Sequence, residues 1–161
     1  MTEPPSQETI DRWHHHFAVE CNNRAWDLSN QATRTVIEDD EMLSAAHAAA
    51  FHWSKVGQAV HGARADVTLA HMHALLGHGP LALHYARRCL TFFESEPCED
   101  WDLAFAHAEM AHAAAASGDA ELHARHYAEA TERGAAIQDA EDRAAFEAEL
   151  ARIPDTVSRT P

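Results

Sequence analysis

The sequence predicts an all-α protein of about seven helices arranged in antiparallel hairpins. Alanine dominates its apolar residues, and the 161-residue chain has only 6 Gly and 6 Pro, a composition that favours helix. Apolar residues recur at spacings of three and four, which is the period of one helix face. No segment shows the alternation of apolar and polar residues that is typical of a strand.

Capping signals predict the first two helices. Residues 1–5 are expected to be a disordered lead, and Ser6 is the expected N-cap of the first helix. The predicted inward face of this helix consists of Ile10, Trp13, Phe17, Cys21, Ala25 and Leu28. Thr35 and Glu38 match a capping box that begins the second helix, and Gly57 is its expected stop.

Glycine, proline and aspartate mark the boundaries of the remaining helices. The third helix is predicted to end at Gly77, and Gly79-Pro80 begins the fourth. The fifth is predicted from about Asp100 to Ser117. Asp119 and Asp139 are the expected N-caps of the sixth and seventh helices.

The bulk composition predicts one soluble, acidic domain. Residues 6–154 are expected to form a single helical domain, and residues 155–161 a frayed tail. A formal net charge of −14 argues against binding to nucleic acid or to an anionic membrane. The first residues contain no apolar signal segment, and the 3 cysteines are too few and too widely spaced for a disulfide framework. These features predict a cytoplasmic protein.

Two stretches share a layout in which a glycine joins a pair of helices. Residues 104–130 turn at Gly118, and residues 63–90 turn at Gly77. In both stretches a large residue and then an alanine lie eight and seven residues before the turning glycine. This layout resembles the tetratricopeptide repeat (TPR) over roughly residues 63–134. Fragments such as LLGHGPLALHYARRCL also resemble an uncharacterised group of bacterial TPR-like proteins. The resemblance implies a TPR-like, right-handed α-solenoid.

In TPR proteins the first helix of each hairpin lines a concave groove that binds peptides. The resemblance therefore implies that the partner-binding residues are Arg64, Thr68, His71, Phe105, Glu109 and His112. The function it implies is an interaction or scaffold module without a cofactor, which binds a protein or peptide or pairs with itself as a homodimer. The negative charge of the chain suits a basic partner segment.

A metal site is the alternative function. Glu109 and His112 form an E-x-x-H motif, which places a carboxylate and an imidazole on one face of a helix. His71, across the groove, would complete a two-histidine, one-carboxylate set that suits Zn, Fe or Mn. The open alternatives are a metal-binding protein or metal-dependent enzyme with this site, and a His–Glu hydrogen bond on a groove wall without metal.

The chain contains 14 histidines, and spacing limits what they can do together. In two pairs the histidines are five residues apart, so the two members point about 140° away from each other and cannot share an ion. These pairs are His47 with His52 and His107 with His112. One histidine of the first pair is expected to pack inward with Trp53. His123 and His126, three apart, either bridge one ion or lie on a solvated face.

No catalytic residue is predicted. The sequence has no G-x-S-x-G nucleophile elbow, no G-x-G-x-x-G loop and no cysteine in a nucleophile context. The chain's 4 tryptophans are expected to anchor the core, and they are Trp13, Trp26, Trp53 and Trp101.

Overall fold

The computed structural model describes residues 4–154, which form seven α-helices and no strand. The helices are α1 (Gln7–Ser29), α2 (Val36–Val56), α3 (Ala59–Leu75), α4 (Gly79–Ser95), α5 (Asp100–Ser117), α6 (Ala120–Ala135) and α7 (Ala140–Leu150). The all-α prediction is confirmed for these residues. Residues 1–3 of the predicted lead and the whole predicted tail, 155–161, lie outside the described range. None of the seven helices is long and apolar enough to cross a membrane.

The helices begin where their capping residues predict. Ser6 Oγ accepts a first-turn N–H at 3.3 Å in α1. In the capping box of α2, Glu38 Oε2 accepts the N–H of Thr35 at 2.7 Å, and Thr35 Oγ1 accepts the N–H of Glu38. The side chains of Asp119 and Asp139 accept first-turn N–H groups in α6 and α7. These hydrogen bonds span three residues or fewer, which is why the sequence alone predicts them.

Two glycines turn the chain at helix ends. Gly77 has φ +73° and Gly118 has φ +74°, a left-handed conformation that side chains disfavour. Gly57 ends α2 as predicted, but with an ordinary φ of −78°. Glycine is needed there for space, because a Cβ would lie 2.6 Å from the carbonyl oxygen of Trp53.

Helices α3 and α5 form the centre of the molecule. Each helix from α1 to α7 packs on the next, and the short links make such neighbours antiparallel. In addition α3 packs on α5 and on α1, and α5 packs on α7. Every residue from 65 to 74 and from 106 to 114 is therefore buried. This central position places several polar side chains inside the protein, where each requires a partner.

Alanine and glycine allow the helices to approach closely. The main core cluster, between α3, α4 and α5, is built largely from alanines that are fully or almost fully buried, together with Phe93 and Met110. At the other end, Phe146 of α7 lies directly over Gly134 of α6. Small residues at these contacts let backbones pack to the density of a protein interior.

The predicted inward face of α1 is wrong in the N-terminal half of the helix. Ala25 and Leu28 are fully buried, as predicted, but Trp13 is 52% exposed and Phe17 is 46% exposed. The N-terminal half turns a different face inward, centred on Ala18. The reason is that α2 covers this half from one side, whereas the C-terminal half of α1 also reaches α3. Trp13 is therefore not a core anchor.

Candidate metal site

The three predicted metal ligands come together between α3 and α5. His71, Glu109 and His112 each offer one ligand atom, and these atoms all lie within 4.8 Å of one another. The exposed fractions of the three residues are 2%, 2% and 5%. Within residues 4–154, this is the single group of three or more His, Cys, Asp or Glu side chains that is close enough to share an ion.

Contacts within this group centre on the carboxylate. His71 Nδ1 lies 2.9 Å from Glu109 Oε1, and His112 Nδ1 lies 3.4 Å from Glu109 Oε2. The second contact is an ion-pair distance without hydrogen-bond alignment, so His112 Nδ1 and Glu109 Oε2 have no hydrogen-bond partner within residues 4–154. His71 Nε2 has none in that range either. Leaving a buried polar atom unpaired costs about 1–3 kcal/mol. The group therefore has unused binding capacity inside the protein.

The carboxylate of Glu109 is held in its charged form. Burial alone would raise the pKa of Glu109, but the nearby imidazoles of His71 and His112 outweigh burial and lower it to about 2. A carboxylate must be deprotonated to bind a metal. Because Glu109 is already ionised, it can bind a cation without releasing a proton.

A second set of contacts orients His71. The indole of Trp26, on α1, lies against the His71 ring with 4.6 Å between ring centroids. The Trp26 Nε1–H donates to Thr68 Oγ1 at 3.2 Å, and the Thr68 hydroxyl donates to Asn22 Oδ1 at 3.0 Å. His71 also meets His112 edge to face, with centroids 5.1 Å apart. Packing on both sides limits the orientations available to the His71 ring.

A cleft of about 410 Å³ opens above the two imidazoles, and we call it the loop cleft. Its lining residues are Ser29, Asn30, Gln31, Ala32, Arg34, His71, Leu75, His112, Arg152 and Ile153. They come from the α1–α2 link, from α3 and α5, and from the segment after α7. Glu109 is not among them. The loop cleft is the side from which a ligand would reach His71 and His112.

The other predicted groove residues are engaged within the chain. Arg64 forms a two-point pair with the buried Asp102, with both N–O distances 2.9 Å, and its guanidinium stacks on Trp101 at 4.4 Å. Thr68 bonds Trp26, as described above. Phe105 meets Phe146 edge to face at 5.1 Å. A partner-binding role for Arg64, Thr68 and Phe105 remains a prediction.

Sequence reasoning missed the residues that surround the ligand group. Arg34, in the α1–α2 link, and Arg152, after α7, line the loop cleft but lie far apart in the chain. Asp102, the buried partner of Arg64, lies outside this group and carried no signal beyond its position near a helix start. Local patterns predict which residues share a helix face, but they do not predict which distant links meet over it.

Histidines of α5 and α6 pair across these two helices. His107 Nδ1 lies 2.9 Å from His126 Nδ1, and both residues are buried. His123 Nδ1 lies 3.0 Å from the carbonyl oxygen of Ala111. His123 and His126 therefore have different partners, and the predicted solvated face is wrong because α5 covers it.

Histidines on the other helices also pair across helices. His52 turns toward α1, where its Nδ1 lies 2.8 Å from His14 Nδ1, while His47 is exposed. The expected packing of His47 or His52 with Trp53 is wrong, because Trp53 stacks instead on His61 of α3, with centroids 4.6 Å apart. Two-residue pairs of this kind do not form a three-ligand site.

Comparison with known proteins provides no relative. The chain matches no family model, no curated protein and no solved structure. The fold and the site define a helical protein with a buried group of two imidazoles and one carboxylate beneath a cleft.

Proposed function

We propose that this protein binds one divalent transition-metal ion through His71, Glu109 and His112. The observation that carries the proposal is that these three buried side chains each present a ligand atom within 4.8 Å of the others. Metal–nitrogen distances of about 2.0–2.1 Å place neighbouring ligands on one ion roughly 3.0–3.4 Å apart. The nitrogen–oxygen distances are close to this range, at 2.9 Å from His71 Nδ1 to Glu109 Oε1 and 3.4 Å from His112 Nδ1 to the other carboxylate oxygen, Oε2.

The unpaired atoms support the same proposal. Glu109 Oε2 and His112 Nδ1 have no hydrogen-bond partner within residues 4–154. A cation bound to both would satisfy them, and it would balance the buried negative charge of Glu109. Two imidazoles and one carboxylate suit Zn, Fe(II) or Mn. Three protein ligands leave coordination positions open, which is typical of catalytic rather than structural metal sites.

Metal analysis of untagged protein, purified without nickel resin, tests this proposal. We expect about one Zn, Fe or Mn per chain, or stoichiometric uptake when chelated protein is titrated with each metal under anaerobic conditions. Removing one ligand should weaken binding at least tenfold in His71→Ala and in Glu109→Gln. The control is His107→Ala, which removes a buried histidine outside the group. Wild-type protein that takes up no metal, or binds it as well after loss of Glu109, would overturn the proposal.

As a second candidate function, we propose that the chain is an interaction module that pairs with another copy of itself. The supporting observation is the N-terminal aromatic patch, which we define as Trp13, Phe17 and Phe51. Their exposed fractions are 52%, 46% and 52%. Exposed aromatic residues on one hairpin are typical of protein interfaces. The TPR-like right-handed solenoid belongs to this proposal and is supported by the packing of α3 on α5.

Analytical ultracentrifugation tests self-association. We expect the wild-type chain to dimerise with increasing concentration and the double variant Trp13→Ala, Phe17→Ala to remain monomeric. Val36→Ala with Ile37→Ala is the control, since these residues are 76% and 78% exposed but lie at the far end of α2 from Phe51. A wild-type chain that stays monomeric at high concentration contradicts the self-association proposal.

A further inference from the structure

We propose that the loop cleft binds a small carboxylate anion, which completes the coordination of a metal held by His71, Glu109 and His112. This inference rests on the metal-binding function proposed above and names the ligand class of the same site. Both imidazoles line the cleft, and Glu109 does not. A ligand in the cleft would therefore lie beside the two imidazoles that the metal proposal uses as ligands. The volume of about 410 Å³ is in the range of small-molecule sites.

Two guanidinium groups meet at the wall of this cleft. Arg34 Nη1 donates to the carbonyl oxygen of Ser29 at 3.3 Å, and Arg152 Nη2 donates to the same oxygen at 2.8 Å. Arg34 lies in the α1–α2 link and Arg152 follows α7, so tertiary contacts alone place them together. Side-chain exposure is 15% for Arg34 and 39% for Arg152, so each is partly withdrawn from water.

Both arginines retain donors for a ligand. Arg34 uses Nε for Asp39 and Nη1 for Ser29, and its Nη2 has no partner within residues 4–154. Arg152 uses Nη1 for Asn30 and Glu149 and Nη2 for Ser29, and its Nε has no partner within the same range. A guanidinium carries five N–H donors in a planar fork that matches a carboxylate. The loop cleft is therefore lined by two guanidinium groups that each retain an unused nitrogen donor.

The charges of the metal-loaded site favour a monoanion. Arg34 is balanced by Asp39, and Arg152 by Glu149. A divalent ion would be only half balanced by Glu109, which leaves one net positive charge at a largely buried site. A carboxylate neutralises this charge, whereas a phosphate dianion would reverse it. The apolar lining from Leu75 and Ile153 suits an anion with a short carbon chain.

Spectroscopic titration of the cobalt-loaded protein tests the inference. Co(II) is first added to chelated protein to establish binding, and acetate is then added at constant ionic strength while the visible cobalt bands are recorded. We expect acetate to shift these bands in a saturable way and inorganic phosphate to compete at least tenfold more weakly. Arg34→Gln and Arg152→Gln should each weaken acetate binding at least fivefold while cobalt affinity stays unchanged.

The control variant is Arg24→Gln, which removes an exposed arginine paired with Glu41 outside the cleft. Using two separate cleft variants keeps the test informative if one of them folds poorly. Cobalt binding without a saturable acetate shift, or with wild-type acetate affinity in both cleft variants, overturns the carboxylate site and leaves the metal proposal standing. Preference for phosphate overturns the ligand class. Failure of cobalt to bind overturns both proposals.

Discussion

At the scale of single residues, Glu109 is the most consequential side chain. It is almost fully buried, charged, and within 3.4 Å of an imidazole nitrogen on either side. A buried charge is tolerated only with compensating partners, so His71 and His112 stabilise the folded chain as well as offering metal ligands. Its two neighbours come from different helices, which makes the group a link between α3 and α5.

We predict that Glu109→Gln lowers the free energy of unfolding of the metal-free protein by on the order of 3 kcal/mol at neutral pH. The pKa of Glu109 is lowered in the folded state to about 2. The contribution of the Glu109 charge to the free energy of unfolding is therefore fully present above the pKa of an unfolded-state glutamate, near 4.3, and is lost as pH falls toward 2. Urea denaturation of both proteins at several pH values measures this difference.

The control for this measurement is Glu129→Gln, because the side chain of Glu129 is 45% exposed and forms a surface pair with Arg133 at 3.5 Å. Its effect should be small at every pH. A wild-type advantage over the Glu109 variant that persists unchanged down to pH 2 would contradict the assigned role of the carboxylate charge.

At the scale of helices, contact between α6 and α7 depends on the absence of a side chain. A Cβ added at Gly134 would lie 2.2 Å from Phe146 Cε1 and 2.5 Å from Cδ1. Phe146 is fully buried and meets Phe105 of α5, so its ring cannot move without disturbing a second contact. Gly134 therefore fixes the distance at which α7 docks.

We predict that Gly134→Ala destabilises the protein by about 1–3 kcal/mol through overpacking. The matched control is Gly62→Ala in α3, where an added Cβ meets nothing within 4 Å. That variant should stabilise the protein by roughly 0.5–1 kcal/mol, because alanine is the better helix former. Thermal or urea unfolding measures both, and equal effects of the two substitutions would refute the close-contact argument.

At the scale of the whole molecule, burial changes how the charge of −14 responds to acid. Burial and the neighbouring histidines lower the pKa of His73 to about 4. Burial and the neighbouring His126 lower the pKa of His107 to about 4 as well. Burial also lowers the pKa of His52 and of His126. His73 and His107 therefore stay largely neutral in the folded chain between about pH 4 and 6.5, where an unfolded histidine would take up a proton. His52 and His126 take up their protons at a lower pH than they would in the unfolded chain.

We predict that the native protein focuses at a lower pH than the urea-unfolded chain. The folded state binds fewer protons in that range, so it carries more net negative charge and also loses stability as pH falls through it. One group opposes this effect, since burial raises the pKa of Asp66 to about 6. Isoelectric focusing with and without urea measures the difference. A native band at or above the pH of the unfolded band would contradict the burial of these histidines as neutral groups.

The sequence alone predicted the helices and the composition of the candidate site. Caps such as Thr35 with Glu38 involve hydrogen bonds between residues close in the chain, so local sequence determines where helices begin. The spacing of Glu109 and His112 places both on one helix face wherever that helix packs. The repeat resemblance added His71 to this pair, and in the structure one nitrogen or oxygen atom of each of the three side chains lies within 4.8 Å of the others.

Only the tertiary structure decided which faces are covered. An amphipathic pattern shows that a helix has an apolar side, but burial depends on how many neighbouring helices lie against it. For this reason Trp13 and Phe17 are exposed on a helix with one neighbour at that end, while the polar residues of α3 and α5 are enclosed. For the same reason the convergence of Arg34 and Arg152 on Ser29 had no sequence signal, since contacts between distant links arise only when the whole chain packs.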